Sequence, residues 1–579
     1  MRRLCSPLAQ PKAAHSIANH PFRKGEIMPL RFVEPAAEAH PFPLTIRHLL
    51  DGVLTKAGDQ RLIYRNQASY SYRELMGRIG RLASLLEALG TEQGMTVAMM
   101  DWDSHRYLES YFAVPMMGAV LQTVNVRLPS SQIAYTLQHA KAEIILVHRD
   151  FFPIIEAIRH TLPEVKTVIA IMDGADEALP TWVAGEYETL SAVASPDYSF
   201  VDFDENAVAT TFYTTGTTGN PKGVCFTHRQ LVLHTLASCG PFGASSASPS
   251  LGIDDVYMPL TPMFHVHAWG LPYIATMLGV KQVYPGRYEP AMICDLRSRH
   301  GVTYSHCVPT VLEMVLKAAD QSGADLTGWK MTIGGSALAK ALCAEGRQRG
   351  MLIGAGYGMS ETCPVIVKAA GRTPEDVATE EAMLSTFTVA GITVPLVDVR
   401  IVDDAMNALP HDGVTWGELV VRTPWLTSCY VGDAKASAEL WRGGWMHTQD
   451  IATIDPQGRV QIRDRLKDVV KTGGEWVDSI QLEELVSTSE GVAEATVIAV
   501  PDAKWGERPL AVVVPLPGMT PTLVSINVPV EKAIADGAIT RFARLDRFVI
   551  LDALPRTSVG KIDKKVLRAR FNEEAGVST

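Results

Sequence analysis

The chain has 579 residues, 47% of them hydrophobic and 20% charged, and carries a formal net charge of −10. That length exceeds what one hydrophobic core organises, so several compact units are expected, and a pI near 5.9 argues against nucleic acid as the main partner. No apolar run approaches the roughly 20 residues that cross a bilayer, and the eight cysteines are scattered without a C-x-x-C pair, which predicts a soluble, reduced, cytoplasmic protein.

Residues 1–40 read as a disordered extension, because the first 27 carry Arg2, Arg3, Lys12, Arg23 and Lys24 against Glu26 without the apolar core of a secretory signal. From 44 to 203, apolar residues at helical spacing (72–89) alternate with short apolar strands (96–100 and 144–147), the pattern of a parallel α/β sheet. The theme repeats after residue 223. Thr227 and Gln230 have capping-box spacing, and strands are expected at 256–260, 303–308, 330–333 and 351–353. Each of these ends in a loop rich in Gly, Ser, His or Thr, and ligands bind at the carboxyl ends of strands in such sheets. Past about 386 the segments shorten and become β-rich, as at 399–402 and 417–422. A charged run, Arg-Asp-Arg-Leu-Lys-Asp at 463–468, marks a boundary or hinge before a hairpin at 496–500 and 510–514. The expected class is therefore α/β: an N-terminal domain over 41–464, made of two doubly wound α/β subdomains and a β subdomain from about 386, then a small α+β C-terminal domain over 465–579.

Four segments carry chemistry. Residues 214–223 read Thr-Thr-Gly-Thr-Thr-Gly-Asn-Pro-Lys-Gly behind an apolar run. Glycines let backbone amides approach phosphate oxygens, the threonine hydroxyls donate, and Lys222 supplies positive charge, although the Walker spacing is absent. Tyr357-Gly358-Met359-Ser360-Glu361-Thr362 puts an aromatic face, a hydroxyl and a carboxylate on one loop. Trp445-Met446-His447-Thr448-Gln449-Asp450 offers an acid able to accept both hydroxyls of a ribose, and Pro555-Arg556-Thr557-Ser558-Val559-Gly560-Lys561 presents a late lysine. Cys225, in an apolar run just past Lys222, reads as a small packing residue rather than a nucleophile.

In this order the segments resemble the adenylate-forming superfamily of acyl-CoA synthetases, luciferases and peptide-synthetase adenylation domains, over about 41–568. Thr261-Pro262-Met263-Phe264-His265-Val266-His267, residues 463–471, Gly473-Gly474-Glu475-Trp476 and Lys504-Trp505-Gly506-Glu507-Arg508-Pro509 narrow it to the branch of medium-chain fatty acyl-CoA synthetases. The resemblance implies ligation of a small carboxylic acid to coenzyme A through acyl-AMP, with ATP and Mg²⁺ consumed or required. It implies that Lys561 bridges carboxylate and α-phosphate, and that Glu361, with Thr215, holds Mg²⁺. Thr214, Thr215, Gly216, Thr217, Thr218, Gly219 and Lys222 would hold the outer phosphates. Tyr357 would stack on adenine beside Gly334, Gly335, Ser336 and Gly358, Ser360 would touch the α-phosphate, and Asp450 with Arg465 would bind ribose. His265, His267, Trp269, Val308, Gly335 and Gly356 would line the acyl site, with His265 or His267 at the acyl carbonyl. Lys467 would be the hinge of a mobile C-terminal domain, which brings Lys471, Gly473, Gly474 and Trp476 to coenzyme A. A homodimer fits the resemblance, and a protein acetyltransferase acting on Lys561 would be a regulatory partner, since acylation removes the charge between two anions.

Two departures stand out. The family has glycine where this chain has Gln449, so either that backbone does not need positive φ or the loop has shifted. Gln481 likewise replaces an acid that many relatives carry, while Glu483 is retained. Residues 264–269 hold no carboxylate to pair a substrate ammonium, which excludes amino acids as substrates. An aryl-CoA ligase, an acyl-AMP ligase that loads a carrier protein and a nucleotide-binding scaffold without catalysis are the competing readings.

Overall fold

The computed structural model describes residues 31–174, 178–214, 220–243, 248–473, 475–556 and 562–574. Residues up to Phe42 form one unit, whose described part, from 31 onward, holds a turn but no helix or strand. The second unit runs from Pro43 to the end. Most of the N-terminal extension, the segment 215–219, Gly474 and Lys561 lie outside the described residues. Among the described residues no helix is long and apolar enough to cross a membrane.

Two large sheets organise the second unit. The first has seven strands in the order Gly185–Glu186, Thr167–Ile171, Ala142–His148, Thr96–Met100, Val120–Thr123, Val208–Thr214 and Lys222–Thr227. All its pairings are parallel except the last, where Thr214 lies opposite Lys222 across a hairpin. The second has nine strands: Ile392–Thr393, Val365–Lys368, Leu352–Gly358, Lys330–Ile333, Tyr304–Cys307, Val256–Pro259, Lys281–Tyr284, Arg61–Tyr64 and Ala68–Ser71. Its centre is parallel and its two ends are antiparallel. Near-continuous burial along the central strands is what a parallel sheet covered on both faces requires.

One expectation is corrected here. Residues 44–203 do not all serve one sheet, because the hairpin 61–71 crosses to the second sheet, with Leu62 opposite Gln282. Buried Tyr72 seals that crossing by donating its hydroxyl to Val280 O at 2.7 Å. Periodicity reports that a strand exists, and says nothing of its distant partner.

Helix Tyr72–Ala88 shows how local chemistry sets an element. Ser71 accepts from the Glu74 amide while Glu74 accepts from the Ser71 amide, a capping box, and Leu75, Ile79, Leu82 and Leu86 recur on the buried face. Thr227 and Gln230 build the second expected capping pair, with amide-to-side-chain bonds of 2.8 and 3.3 Å.

Helix His105–Met116 is buried along its whole length and packs on strands of both large sheets. It nevertheless carries charge, and every charge is paired. Glu109 accepts from Arg78 Nε at 2.6 Å and from Tyr187 at 2.7 Å, while Arg106 reaches Asp173 at 2.7 Å and Glu188 at 2.8 Å. Removing one member would strand a buried charge.

Beyond these sheets, Asp398–Val402, Gly417–Arg422, Met446–Ile454 and Val460–Arg465 form a four-stranded antiparallel sheet. The last sheet contains Glu475–Val477, Val470–Thr472, Gly506–Pro515 and Val492–Asp502, with Phe548–Ile550 alongside. It includes the expected late hairpin, in which Thr496 faces Val512.

Gly80 offers a test of packing against propensity. A Cβ there would lie 1.9 Å from Pro196 O, so the helix touches backbone at that point. Alanine gains about 1 kcal/mol of helix propensity, but overpacking costs about 1–3 kcal/mol. Gly80→Ala is expected to lower the thermal midpoint; an unchanged or raised midpoint in calorimetry would show that the segment at Pro196 yields freely.

Candidate active site

The site assembles from the ends of strands and the loops that follow them. Lys222 opens its strand and sets its Nζ 4.5 Å from the Tyr430 ring centroid. Tyr430 donates its hydroxyl to Glu361 Oε1 at 2.6 Å, and the Thr427 amide donates to Glu361 O at 3.0 Å. Glu361 stands on the short turn Ser360–Thr362, directly after strand Leu352–Gly358, and is only 6% exposed. Burial raises its carboxyl above the ordinary range, against the Tyr430 hydrogen bond and the charges of Arg465 and Lys222. Gly358 is obligatory at this bend, since a Cβ would sit 1.8 Å from Pro364 O.

A second cluster adjoins the first. Tyr357 donates its hydroxyl to Asp450 Oδ2 at 2.6 Å, across 93 residues of sequence. Asp450 is buried, faces Arg465 in the antiparallel pair and has Oδ1 3.5 Å from Arg465 Nε. Gln449 holds φ at +59°. The alternative that this backbone does not need positive φ is thereby corrected: the strand keeps positive φ with a glutamine there. Its amide donates to Glu418 Oε1 at 3.1 Å and its carbonyl accepts from the Leu466 amide at 2.9 Å, which holds the strained conformation.

The third cluster surrounds residues 263–270. Val266, His267, Ala268 and Trp269 all have φ between 46° and 59°, followed by Gly270 at 74°. Left-handed backbone costs roughly 1–2 kcal/mol per non-glycine residue, so four in succession need strong support. Asp103 Oδ1 accepts from the Met263 amide at 2.8 Å, Tyr111 donates to Met263 O, and Thr123 donates to Phe264 O at 3.0 Å. No motif in the sequence announced this turn; alternation and turn residues are silent about it because the strain is imposed by contacts from elsewhere.

The turn buries His267 completely and leaves both its ring nitrogens without hydrogen-bond partners among the described residues. Rings of Tyr111, Phe212, Tyr273 and Phe226 surround it at 5.8, 5.4, 6.1 and 6.3 Å between centroids. Burial, with nearby His234, drives its pKa down to about 3, so the imidazole is neutral. His265 remains half-exposed. Trp269 lies 5.2 Å from His306, and a Cβ on Gly334 would meet Trp269 Cη2 and Gly356 O at 3.0 Å each, so Trp269, Gly334 and Gly356 pack together. Gly335 takes φ +81° with exposed Ser336 next to it, and Val308 caps helix Pro309–Ser322.

The remaining candidates form a separate group. Lys467 is exposed in the turn between Val460–Arg465 and Val470–Thr472, and partial desolvation lowers its pKa. Lys471 is exposed, opposite Trp476 in a short hairpin, with Nζ 5.7 Å from that ring centroid. Its amide donates to Glu507 at 2.8 Å, Gly473 donates to Trp505 O at 2.9 Å, and Trp476 lies 6.3 Å from Trp416. Thr215, Gly216, Thr217, Thr218, Gly219, Gly474 and Lys561 fall outside the described residues. Tyr430 and Asp103 were missed by the sequence reading. Tyr430 sits in no motif, and Asp103 follows a strand end, the one signal that pointed its way.

Residues 51–431 match the family described as AMP-binding enzyme, and residues 481–561 match the AMP-binding enzyme C-terminal domain. The chain is 40% identical over 509 residues to a long-chain-fatty-acid–CoA ligase of Thermus thermophilus, covering 87% of this chain and 91% of that one. It is 34% identical over 515 residues to a medium-chain-fatty-acid–CoA ligase of Ectopseudomonas oleovorans, covering 87% and 90%. The solved structure of ATP-bound MatB from Rhodopseudomonas palustris aligns with a TM-score of 0.77 at 25% identity, over 92% of this chain and all of that one. The chain belongs to the AMP-binding enzyme family and is an AMP-forming acid–thiol ligase, a class that works with ATP, Mg²⁺ and coenzyme A.

Gln449→Gly relieves about 1–2 kcal/mol of left-handed strain and returns about 0.4–1 kcal/mol to unfolded-chain entropy, so a small rise in thermal midpoint is expected; a fall would mean that the glutamine side chain contributes more than its backbone costs. Burial, reinforced by Asp101, pushes the Asp103 carboxyl up to about 7, against hydrogen bonds from Tyr288 and Met263 and the charge of Arg127. The folded chain then keeps a proton that the unfolded chain releases above about pH 4, and the stability this brings is full below that pH and lost as pH rises through about 7. In Asp103→Asn the corresponding slope should vanish, read as the wild-type-minus-variant difference in denaturant midpoints between about pH 4.5 and 7.5; a constant difference would refute it.

Proposed function

We propose that the protein activates a medium-chain carboxylic acid as its acyl adenylate, with release of pyrophosphate, and then transfers the acyl group to the thiol of coenzyme A. The observation that carries this reading is the placement of Lys222 and buried Glu361 on either side of Tyr430, next to a ribose-competent Asp450 that Tyr357 orients. A free carboxylate is a poor electrophile, and AMP is a far better leaving group than oxide. Two anions must meet, which calls for fixed positive charge between them.

In this reading Lys222 and Thr214 meet the outer phosphates, Asp450 accepts the ribose hydroxyls, and Arg465 holds Asp450 in place. Tyr357 offers its ring to adenine while its hydroxyl stays on Asp450. Among the described residues no three His, Cys, Asp or Glu side chains gather into a metal cage. A lone buried carboxylate is nonetheless what Mg²⁺ needs when substrate phosphates supply its other oxygens, so Glu361, with Thr215, would hold it. There the ion would balance charge on the departing pyrophosphate. Lys561 is assigned by resemblance alone to the contact between carboxylate and α-phosphate, and its acylation by a protein acetyltransferase would remove that charge. His265, half-exposed at the start of the strained turn, would meet the acyl carbonyl.

The acyl tail would run toward Trp269, whose ring closes on Gly334 and Gly356. The hairpin bearing Lys471, Gly473 and Trp476 is assigned to coenzyme A after rotation of residues 465–579 about Lys467, within a cytoplasmic enzyme.

The test is pyrophosphate release from ATP and Mg²⁺ with straight-chain acids from acetate to palmitate, plus benzoate and cinnamate, each with and without coenzyme A. Turnover should peak from hexanoate to dodecanoate and depend on coenzyme A. A maximum at palmitate or at an aromatic acid would reject the chain-length assignment, and indifference to coenzyme A would favour transfer to a carrier protein. Glu361→Gln should lower pyrophosphate release on the order of 10²-fold, the scale of losing one charge-stabilising group.

A further inference from the structure

Two cysteines that no part of the reaction uses stand opposite each other beside the phosphate site. Val224 and Tyr430 form an isolated antiparallel bridge, and the Val431 amide donates to Gly223 O at 2.9 Å. That bond makes Val224 and Tyr430 the non-hydrogen-bonded pair, so the flanking pairs are Gly223 with Val431 and Cys225 with Cys429. Flanking pairs of this kind have Cα atoms about 5.5 Å apart, inside the roughly 4.4–6.8 Å span of disulfides. Directly opposed residues also send their side chains to the same face, and the two thiols are in hydrogen-bond contact. Thr427 bonds the carbonyls of both residues, at 3.1 and 3.0 Å, and so fixes the pair. Cys429 is exposed and Cys225 half-buried, both as free thiols.

We propose that Cys225 and Cys429 form a reversible disulfide, with hydrogen peroxide as oxidant, that staples the segment bearing Tyr430 to the strand bearing Lys222. The exposed Cys429 thiolate attacks one peroxide oxygen; the O–O bond breaks, hydroxide leaves, and Cys429 becomes a sulfenic acid. Cys225 sulfur then attacks Cys429 sulfur and expels hydroxide, which leaves as water with the proton of the Cys225 thiol. In sum, two thiols lose two electrons and two protons, and one peroxide becomes two waters. Burial pushes the Cys225 thiol up to about 11, which leaves the exposed Cys429 as the sulfur that meets peroxide first.

Side chains alternate along a strand, so the disulfide forms on the face away from Lys222 and Tyr430 and adds no atom to the site. Its effect would be restraint. Tyr430 caps Glu361, and on the proposed function Glu361 must turn to the metal during adenylation; a stapled Tyr430 segment hinders that exchange. The staple itself does not depend on that reading.

The experiment treats the full-length protein with hydrogen peroxide, alkylates remaining thiols and maps a non-reducing digest by mass spectrometry, with pyrophosphate release followed in parallel. A linked pair of peptides containing Cys225 and Cys429 is expected, absent from Cys225→Ser and Cys429→Ser and lost on adding dithiothreitol. Pyrophosphate release should fall severalfold on oxidation, recover with dithiothreitol, and be insensitive to peroxide in Cys429→Ser. Alkylation of both thiols after peroxide, or overoxidation of Cys429 without linkage, overturns the disulfide. Linkage with undiminished pyrophosphate release overturns the restraint. Should no acid turn over at all, the functional reading fails, while the linked peptide still decides the disulfide.

Discussion

The joint made by helix His105–Met116 and the loop before it is the constraint on which the rest of this structure depends. The helix is buried between two sheets, and its charges survive there only because Arg78, Asp173, Tyr187 and Glu188 complete them. Such an arrangement is no stronger than an apolar one would be, but it permits one packing of the sheets, since any slip leaves a buried ion unpaired. Asp103, at the entrance to the helix, extends the joint: one oxygen receives the Met263 amide and the other the Tyr288 hydroxyl. The loop at the end of a strand in one sheet thus anchors the left-handed turn that follows a strand of the other.

That anchor explains how a chain of ordinary residues holds a left-handed turn. Four non-glycine residues in that region cost several kcal/mol together at about 1–2 kcal/mol each, too much for local interactions to bear. The hydrogen bonds from Asp103, Tyr111 and Thr123 and the burial of His267 and Trp269 among aromatic rings supply the compensation. The strain buries a neutral imidazole, unpartnered among the described residues, and an indole just after His265, and it sits where the proposed acyl group would arrive. Strained backbone at a ligand site is a form of preorganisation, since the shape is settled before the ligand comes.

The seam between the four-stranded and the last sheet is made differently. Asp464 accepts from the Ser479 amide at 2.8 Å across it, while Lys564, held by Glu483 at 2.8 Å and Ser479 at 2.7 Å, brings its charge to bear on Asp464. Burial raises the Asp464 carboxyl to about 6 despite the nearby Lys564 charge. Lys467 occupies the turn within this cluster. A rotation about it would have to exchange these polar contacts for others, which costs far less than separating an apolar core, and contacts of this type suit a joint with more than one arrangement.

The sequence by itself determined whatever depends on neighbours along the chain. The capping boxes at Ser71 and Thr227, the strands Thr96–Met100 and Lys330–Ile333, the late hairpin and the order of the glycine-threonine, Tyr357 and Asp450 segments were legible because propensity, alternation and spacing are local properties. The tertiary structure alone decided the rest. It sent the hairpin 61–71 to the second sheet, set Tyr430 between Lys222 and Glu361, kept positive φ at Gln449, wound residues 266–269 left-handed, and faced Cys225 with Cys429. In each of these the deciding energy comes from groups tens to hundreds of residues away: a distant strand edge, a buried carboxylate, an opposing backbone. No local pattern encodes such a partner, because the chain pays for a strained or unusual conformation only once the folded contacts that compensate it exist.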